Sequence, residues 1–356
     1  MDVFTLLWIG MAGAGLVAAA KFGPSLASFA GFTYPNAKFN AMGAPYLQEK
    51  ELTRLVSSDS LEDFQANVVS RDFSVEGESI REVQRAVDMS LARIIAMARK
   101  DSPKTVHGFY DAFLQTLDAR LVKDALRAVL EGSQAPEQEP FSSLGRTLRE
   151  RLRQADREEM LRVLSEVDML EVKQLIETEA PVMAVEYAVD RYLVQALGRA
   201  EVPRSCLRTR DVFAKRLIDV MNLKAILRAT YYDLGDVQQM LFGEGREIPG
   251  WQVDHMLKID SIPEVISLLE GTSYGAPLRD VLPQYERQGL WVLELAIDRQ
   301  FVRHAAAMGL DDTTGLGPGI RFLVEKQYEA RNLKAIAKGV GEGLDAEKIW
   351  NVVVTT

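Results

Sequence analysis

The chain is poor in the residues that most often mark chemistry. Cys206 is its one cysteine, so no intrachain disulfide can form, and a cytoplasmic setting suits the body. No histidine stands beside Cys206, which makes an inert thiol the expected state. His107, His255 and His304 are widely separated, lack paired ligand spacing and build no zinc site. No G-x-x-x-x-G-K-[ST] loop occurs, which excludes nucleotide binding by that route. The stretches Gly315-Leu-Gly317-Pro-Gly319 and Gly339-Val-Gly341-Glu-Gly343 follow no predicted strand and read as turns and helix C-caps. Strand patterning is equally scarce, with no sustained alternation and no Asn-Gly or Asp-Gly hairpin turn. These absences argue against an enzyme: no catalytic, cofactor-binding or metal-binding residue is assigned.

Positive charge is also in deficit. The 356 residues carry a formal net charge of −9, which argues against nucleic acid as a partner, since a phosphate backbone needs clustered Lys and Arg. The 47% hydrophobic and 26% charged content is that of a globular protein. Residues 3–20 are the exception, an uncharged run rich in Gly and Ala. As a helix this run would span about 27 Å at ~1.5 Å per residue, near the thickness of a bilayer core. No Lys or Arg precedes it, unlike a cleaved signal, and Lys21 and Lys38 follow it, which puts the body on the cytoplasmic side. It is expected to be a transmembrane anchor in contact with lipid.

What the chain has in plenty is repetition. Ala86-Val87-Asp88 returns as Ala188-Val189-Asp190 and Ala296-Ile297-Asp298. Downstream, Leu121-Val122-Lys123 returns as Asn222-Leu223-Lys224 and Asn332-Leu333-Lys334. The Asp-to-Lys spacings are 123 − 88 = 35, 224 − 190 = 34 and 334 − 298 = 36. Copies 102 and 108 residues apart (190 − 88 and 298 − 190) are too long for solenoid units and describe a small helical domain used three times. Apolar residues at i, i+3, i+4, i+7 run through each copy, as at Val83, Val87, Leu91, Ile94 and Ile95. The predicted fold is all-α: an anchor and connector (1–33) and three repeat domains (34–141, 142–246, 247–356). Polar, Pro-bearing breaks at 132–140 and 243–250 separate the copies.

The recurring charges sit inside apolar stripes. We expect each Asp to pair with the Lys of its own copy, Asp88 with Lys123, Asp190 with Lys224 and Asp298 with Lys334, fixing two helices. Arg191, Tyr192, Arg299 and Gln300, which follow the repeated Asp, and Asn222 and Asn332 are candidates to contact a partner.

Tyr34-x-Asn36-Ala37-Lys38, Ala188-Val-Asp-Arg-Tyr192, Ala296-Ile-Asp-Arg-Gln300 and the two Asn-Leu-Lys-Ala-Ile segments (222–226, 332–336) resemble the C subunit of the archaeal A-type ATP synthase. That protein is itself similar to the d subunit of the vacuolar-type ATPase. The resemblance covers residue 34 to the end. It implies a non-catalytic funnel of three helical domains in pseudo-threefold arrangement. Its place would be the central rotor, between the central-stalk subunits and the membrane proteolipid ring, passing torque for ATP synthesis or ion pumping. The first copy departs from the pattern, with Leu121 in place of Asn and Met89 in place of Arg. The repeats and anchor alone would equally allow a membrane-anchored helical scaffold with unrelated partners.

Overall fold

The computed structural model describes residues 30–235 and 237–356. Among these residues every regular element is helical, as the apolar spacing predicts. The first copy holds α1 (residues 30–42), α2 (Glu49–Val56), α3 (Leu61–Asn67), α4 (Ile80–Asp101), α5 (His107–Leu117) and α6 (Ala119–Glu131). The second holds α7 (Ser143–Leu152), α8 (Arg157–Glu166), α9 (Leu170–Glu177), α10 (Val182–Arg199) and α11 (Arg204–Tyr232). The third holds α12 (Gly250–Met256), α13 (Ile262–Ser267), α14 (Gly275–Asp280), α15 (Leu282–Gln288), α16 (Trp291–Asp311), α17 (Gly317–Gly341) and α18 (Ala346–Trp350).

Local chemistry starts several of these helices. Ser60, Ser79, Ser142 and Asp156 stand at N-caps, where each side chain accepts from the backbone N–H three residues on. Helix α6 ends at Gly132 in the left-handed conformation (φ 64°), and the exposed, non-helical stretch to Pro140 follows. The long helices bury the predicted stripes. On α4 these are Val83, Val87, Leu91, Ile94 and Ile95. On α10, Val185, Ala188, Val189, Leu193 and Leu197 do the same. Each such Val, Leu or Ile side chain contributes roughly 1.5–3 kcal/mol on burial.

The packing order joins copies rather than isolating them. Helix α10 packs on α11 and α16 on α17 within their copies, but α6 also packs on α10, α11 on α16, and α17 on α4. The short opening helices obey the same rule: α7 and α8 lie on α6, α12 and α13 on α11, and α2 and α3 on α17. One apolar core therefore runs from Leu121 and Leu126 of α6 through Met160, Val163 and Val172 to Val189 of α10, across the 141/142 boundary. Phe109, Phe213 and Phe301, one from each copy, meet in an aromatic chain with centroids 5.8 and 6.0 Å apart.

Two expectations need adjustment. Residues 30–33 belong to α1, not to a connector, because Phe32 packs into the core with Phe39. The glycine-rich stretches are more than turns. Gly339 and Gly341 lie within α17 where any Cβ would meet Ile349 and Ile80 side chains at 2.6 Å, so their lack of a side chain lets two neighbours approach. Gly343 (φ 68°) then closes the helix. Among the described residues no helix is long and apolar enough to cross a membrane; the expected anchor at 3–20 lies outside them.

Candidate functional site

The repeated charges do pair, but not as expected. Lys123 donates to Asp190, Lys224 to Asp298 and Lys334 to Asp88, each at 2.6 Å. Every lysine reaches the aspartate of the following copy, and the third reaches back to the first. Helix geometry gives the reason. In the second copy Asp190 lies nine residues before the end of α10, while Lys224 lies twenty residues into α11. At ~1.5 Å per residue the two are offset by about 16 Å along the hairpin, too far to touch. In the third copy Asp298 faces Tyr328 and Arg331 of its own α17, about one turn short of Lys334.

The three joints differ in burial. Lys123–Asp190 is about one-fifth exposed and Lys334–Asp88 about one-third exposed, whereas Asp298 is 1% exposed. Burial pushes the Asp190 carboxyl up despite Lys123. Burial works the same way on Asp298, but Lys224, Arg331 and the Tyr328 hydroxyl together hold it below the ordinary carboxylate range. Lys224 is itself drawn down by burial, against the pull of Asp298.

A second triplet accompanies the lysines, and the repeated phrase does not announce it. Five residues before each lysine stands an acid, Asp118, Asp219 or Glu329, and all three are buried. Each accepts from backbone N–H at the junction with the next copy in cyclic order. Asp118 accepts from Phe141 and Ser142, Asp219 from Arg246, Glu247 and Ile248, and Glu329 from Tyr46. Burial raises Asp219 to about 6, against those backbone donors, and Glu329 to about 7, against the neighbouring Lys326. Gly245 is obligatory beside Asp219, since a Cβ there would lie 1.8 Å from Asp219 Oδ1. The Asp118 and Asp219 positions were visible beside the lysines; the Asp-to-Glu change at 329 hid the third.

Four of the partner-contact candidates make hydrogen bonds inside the chain. Asn222 donates to the Gly243 carbonyl and accepts from Phe242 N–H. Asn332 donates to the Tyr46 and Val354 carbonyls and accepts from Val354 N–H. Arg191 binds the Glu171 carboxylate at 2.7 Å and the carbonyls of Gln239 and Leu241 at 2.9 and 2.5 Å. The Tyr192 hydroxyl donates to the Val167 carbonyl. These are buried or half-buried polar groups whose hydrogen bonds fix loops onto helices. Arg299 and Gln300 differ: the Nε of Arg299 is buried without a partner, and the Gln300 amide lies 3.0 Å from His304 Nε2.

One cluster superficially suggests catalysis. Ser273 Oγ lies 2.8 Å from His304 Nε2, a nucleophile–base spacing. A triad would need a carboxylate orienting the imidazole. Here Arg216 lies 3.2 Å from both ring nitrogens, and Glu247 takes Arg216 and the Ser273 backbone N–H instead. Burial and Arg216 push His304 down to about 4, so it stays neutral, and the group pins α11 to α16. Burial likewise raises the Cys206 thiol. Among the described residues no group of three or more His, Cys, Asp and Glu could hold a metal ion.

What these residues make is a set of polar joints between three successive helical copies. The model of the ATP synthase (C/AC39) subunit family matches residues 35–352, and the chain belongs to that family of structural, non-catalytic subunits. It is 27% identical over 354 residues to the A-type ATP synthase C subunit of Pyrococcus abyssi (strain GE5 / Orsay), covering 94% of this chain and 93% of that protein. The corresponding protein of Thermococcus onnurineus (strain NA1) is 28% identical over 371 residues, covering 99% and 94%. That of Methanocaldococcus jannaschii is 26% identical over 354 residues, covering 91% and 86%.

Proposed function

We propose that the chain is the central-rotor connector of an A-type ATP synthase, joining the central stalk to the membrane proteolipid ring and passing torque between them. The observation that carries this reading is the cyclic order of the joints. A torque-bearing collar must not open where its chain begins and ends. Here the third copy is tied to the first by Lys334–Asp88, Glu329–Tyr46 and Asn332–Tyr46, the same kinds of contact that tie covalently consecutive copies. Such an order suits the three-lobed funnel expected of a subunit of this kind. Residues 3–20 would tether the collar through the lipid at the ring's centre, on the cytoplasmic side, where small residues at 10–15 suit a confined space.

The test is retention of partners by the tagged full-length chain in mild detergent, read by mass spectrometry. Central-stalk subunits together with a small, very hydrophobic proteolipid would support the reading. Unrelated membrane proteins alone would replace it with the scaffold alternative. The tether is tested separately by cross-linking from Gly13→Cys: adducts with inward-facing ring positions support it, and adducts with lipid or stator only refute it.

A further inference from the structure

The third copy opens with four short helices, α12 to α15, where the second has three, and α15 borders a cavity of about 330 Å³ with α16 and α18. Trp291 and Trp350 form walls, and Arg287, Arg299 and Asn351 supply polar groups. No acidic residue lines it, in a chain of net charge −9. Among the described residues neither Arg287 nor Arg299 pairs with a carboxylate, and Arg299 Nε is buried with no hydrogen-bond partner. Two guanidinium groups lining a cavity with no carboxylate of its own suit an anionic group that arrives from outside.

The second copy shows what a guanidinium at this position takes. Arg191, like Arg299, directly follows the repeated aspartate. It holds one carboxylate, from Glu171, and two backbone carbonyls, Gln239 in a short 3-10 turn and Leu241 just after it. The Asn hooks align the third copy with this arrangement. Asn222 binds Phe242 and Asn332 binds Val354, so Asn351 stands where Gln239 stands, three residues earlier in each case. Asn351 does line the cavity, but no hydrogen bond joins it to Arg299, and no carboxylate pairs with Arg299 as Glu171 does with Arg191. The first copy has Met89 here and raises no such demand.

We propose that this cavity is a docking site for a short acidic segment of a partner protein. One Asp or Glu carboxylate would bind Arg299, backbone carbonyls would take the remaining N–H groups, and apolar flanking residues would lie against Trp291 and Trp350. Bidentate pairing of guanidinium with carboxylate, between aromatic walls, gives a peptide site both orientation and affinity. The site stands independently of the rotor reading.

The experiment is fluorescence anisotropy on the full-length chain, using fluorescein-labelled Val-Glu-Val-Glu-Val and its Val-Gln-Val-Gln-Val counterpart. The glutamate peptide is expected to bind at least tenfold more tightly. Arg299→Met should weaken it at least tenfold, whereas Arg120→Gln, an exposed cation on α6, should not change it. Asn351→Asp fills the site from within, and should abolish peptide binding while raising the thermal midpoint. Equal binding of the two peptides, equal losses in Arg299→Met and Arg120→Gln, or undiminished binding in Asn351→Asp would each overturn the proposal.

Discussion

Replacing Asp298 by Asn should cost far more than the same change at Asp88, although the two occupy equivalent places in their copies. Asp298 is 1% exposed and receives Lys224, Tyr328 and Arg331. Losing its charge leaves a largely buried ammonium and a buried phenol facing a neutral amide. Breaking a buried pair from one side costs about 3–5 kcal/mol. The Lys334–Asp88 pair is about one-third exposed on both sides, where water screens the charges, and its loss should cost about 0–1 kcal/mol. Urea unfolding followed by circular dichroism measures both. A double-mutant cycle with Lys224→Met then identifies the partner: coupling of about 2 kcal/mol or more with Asp298→Asn, and within about 0.5 kcal/mol of zero with Asp190→Asn. Equal costs at positions 88 and 298, or coupling of Lys224 to Asp190, would refute the reasoning.

Three further outcomes follow from the joints. Glu329 is raised by burial to about 7, so its protonated form belongs to the folded state: stability from this group is fully present below about pH 4.5 and lost as pH rises through 7. Glu329→Gln should therefore gain on wild type between pH 5 and 8, by at most about 3 kcal/mol for a shift of this size; a difference that does not change with pH would contradict the assignment. Asn332→Leu strands two carbonyls and one N–H at the junction of the third and first copies, and should cost about 2–4 kcal/mol in urea unfolding. Gly245→Ala, which drives a methyl into Asp219, should lower stability by about 2 kcal/mol or more, while Gly250→Ala, with open space around it, should stay within about 0.5 kcal/mol of wild type.

The all-helical class, the apolar stripes and the repeated Asp and Lys that form the charged joints were legible in the sequence because each obeys a period. The partners of those residues were not. Similar spacings of 34–36 residues recur in every copy and suggest a contact inside the copy, whereas the contact depends on how far along its helix each residue lies. Helix ends settle this for Lys224 and Asp190, and ends are what periodicity locates least well. Arg191 and the two asparagines read as partner-contact candidates because the backbone atoms they bind lie in loops and turns, which no residue pattern announces. The interruption of the first copy at Asp118, between α5 and α6, was likewise hidden, although Leu121 in place of Asn already set that copy apart.

The most direct test of the closed order is zero-length carbodiimide cross-linking of the full-length chain, read by peptide mass spectrometry. Lys334 and Asp88 are the most exposed of the three pairs, 2.6 Å apart and 246 residues distant in sequence. A closed collar predicts an amide between them in the intact protein, lost in Asp88→Asn. Amides from Lys334 to Asp298, or from Lys123 to Asp88, with none from Lys334 to Asp88, would mean that each copy closes on itself and that the collar is open.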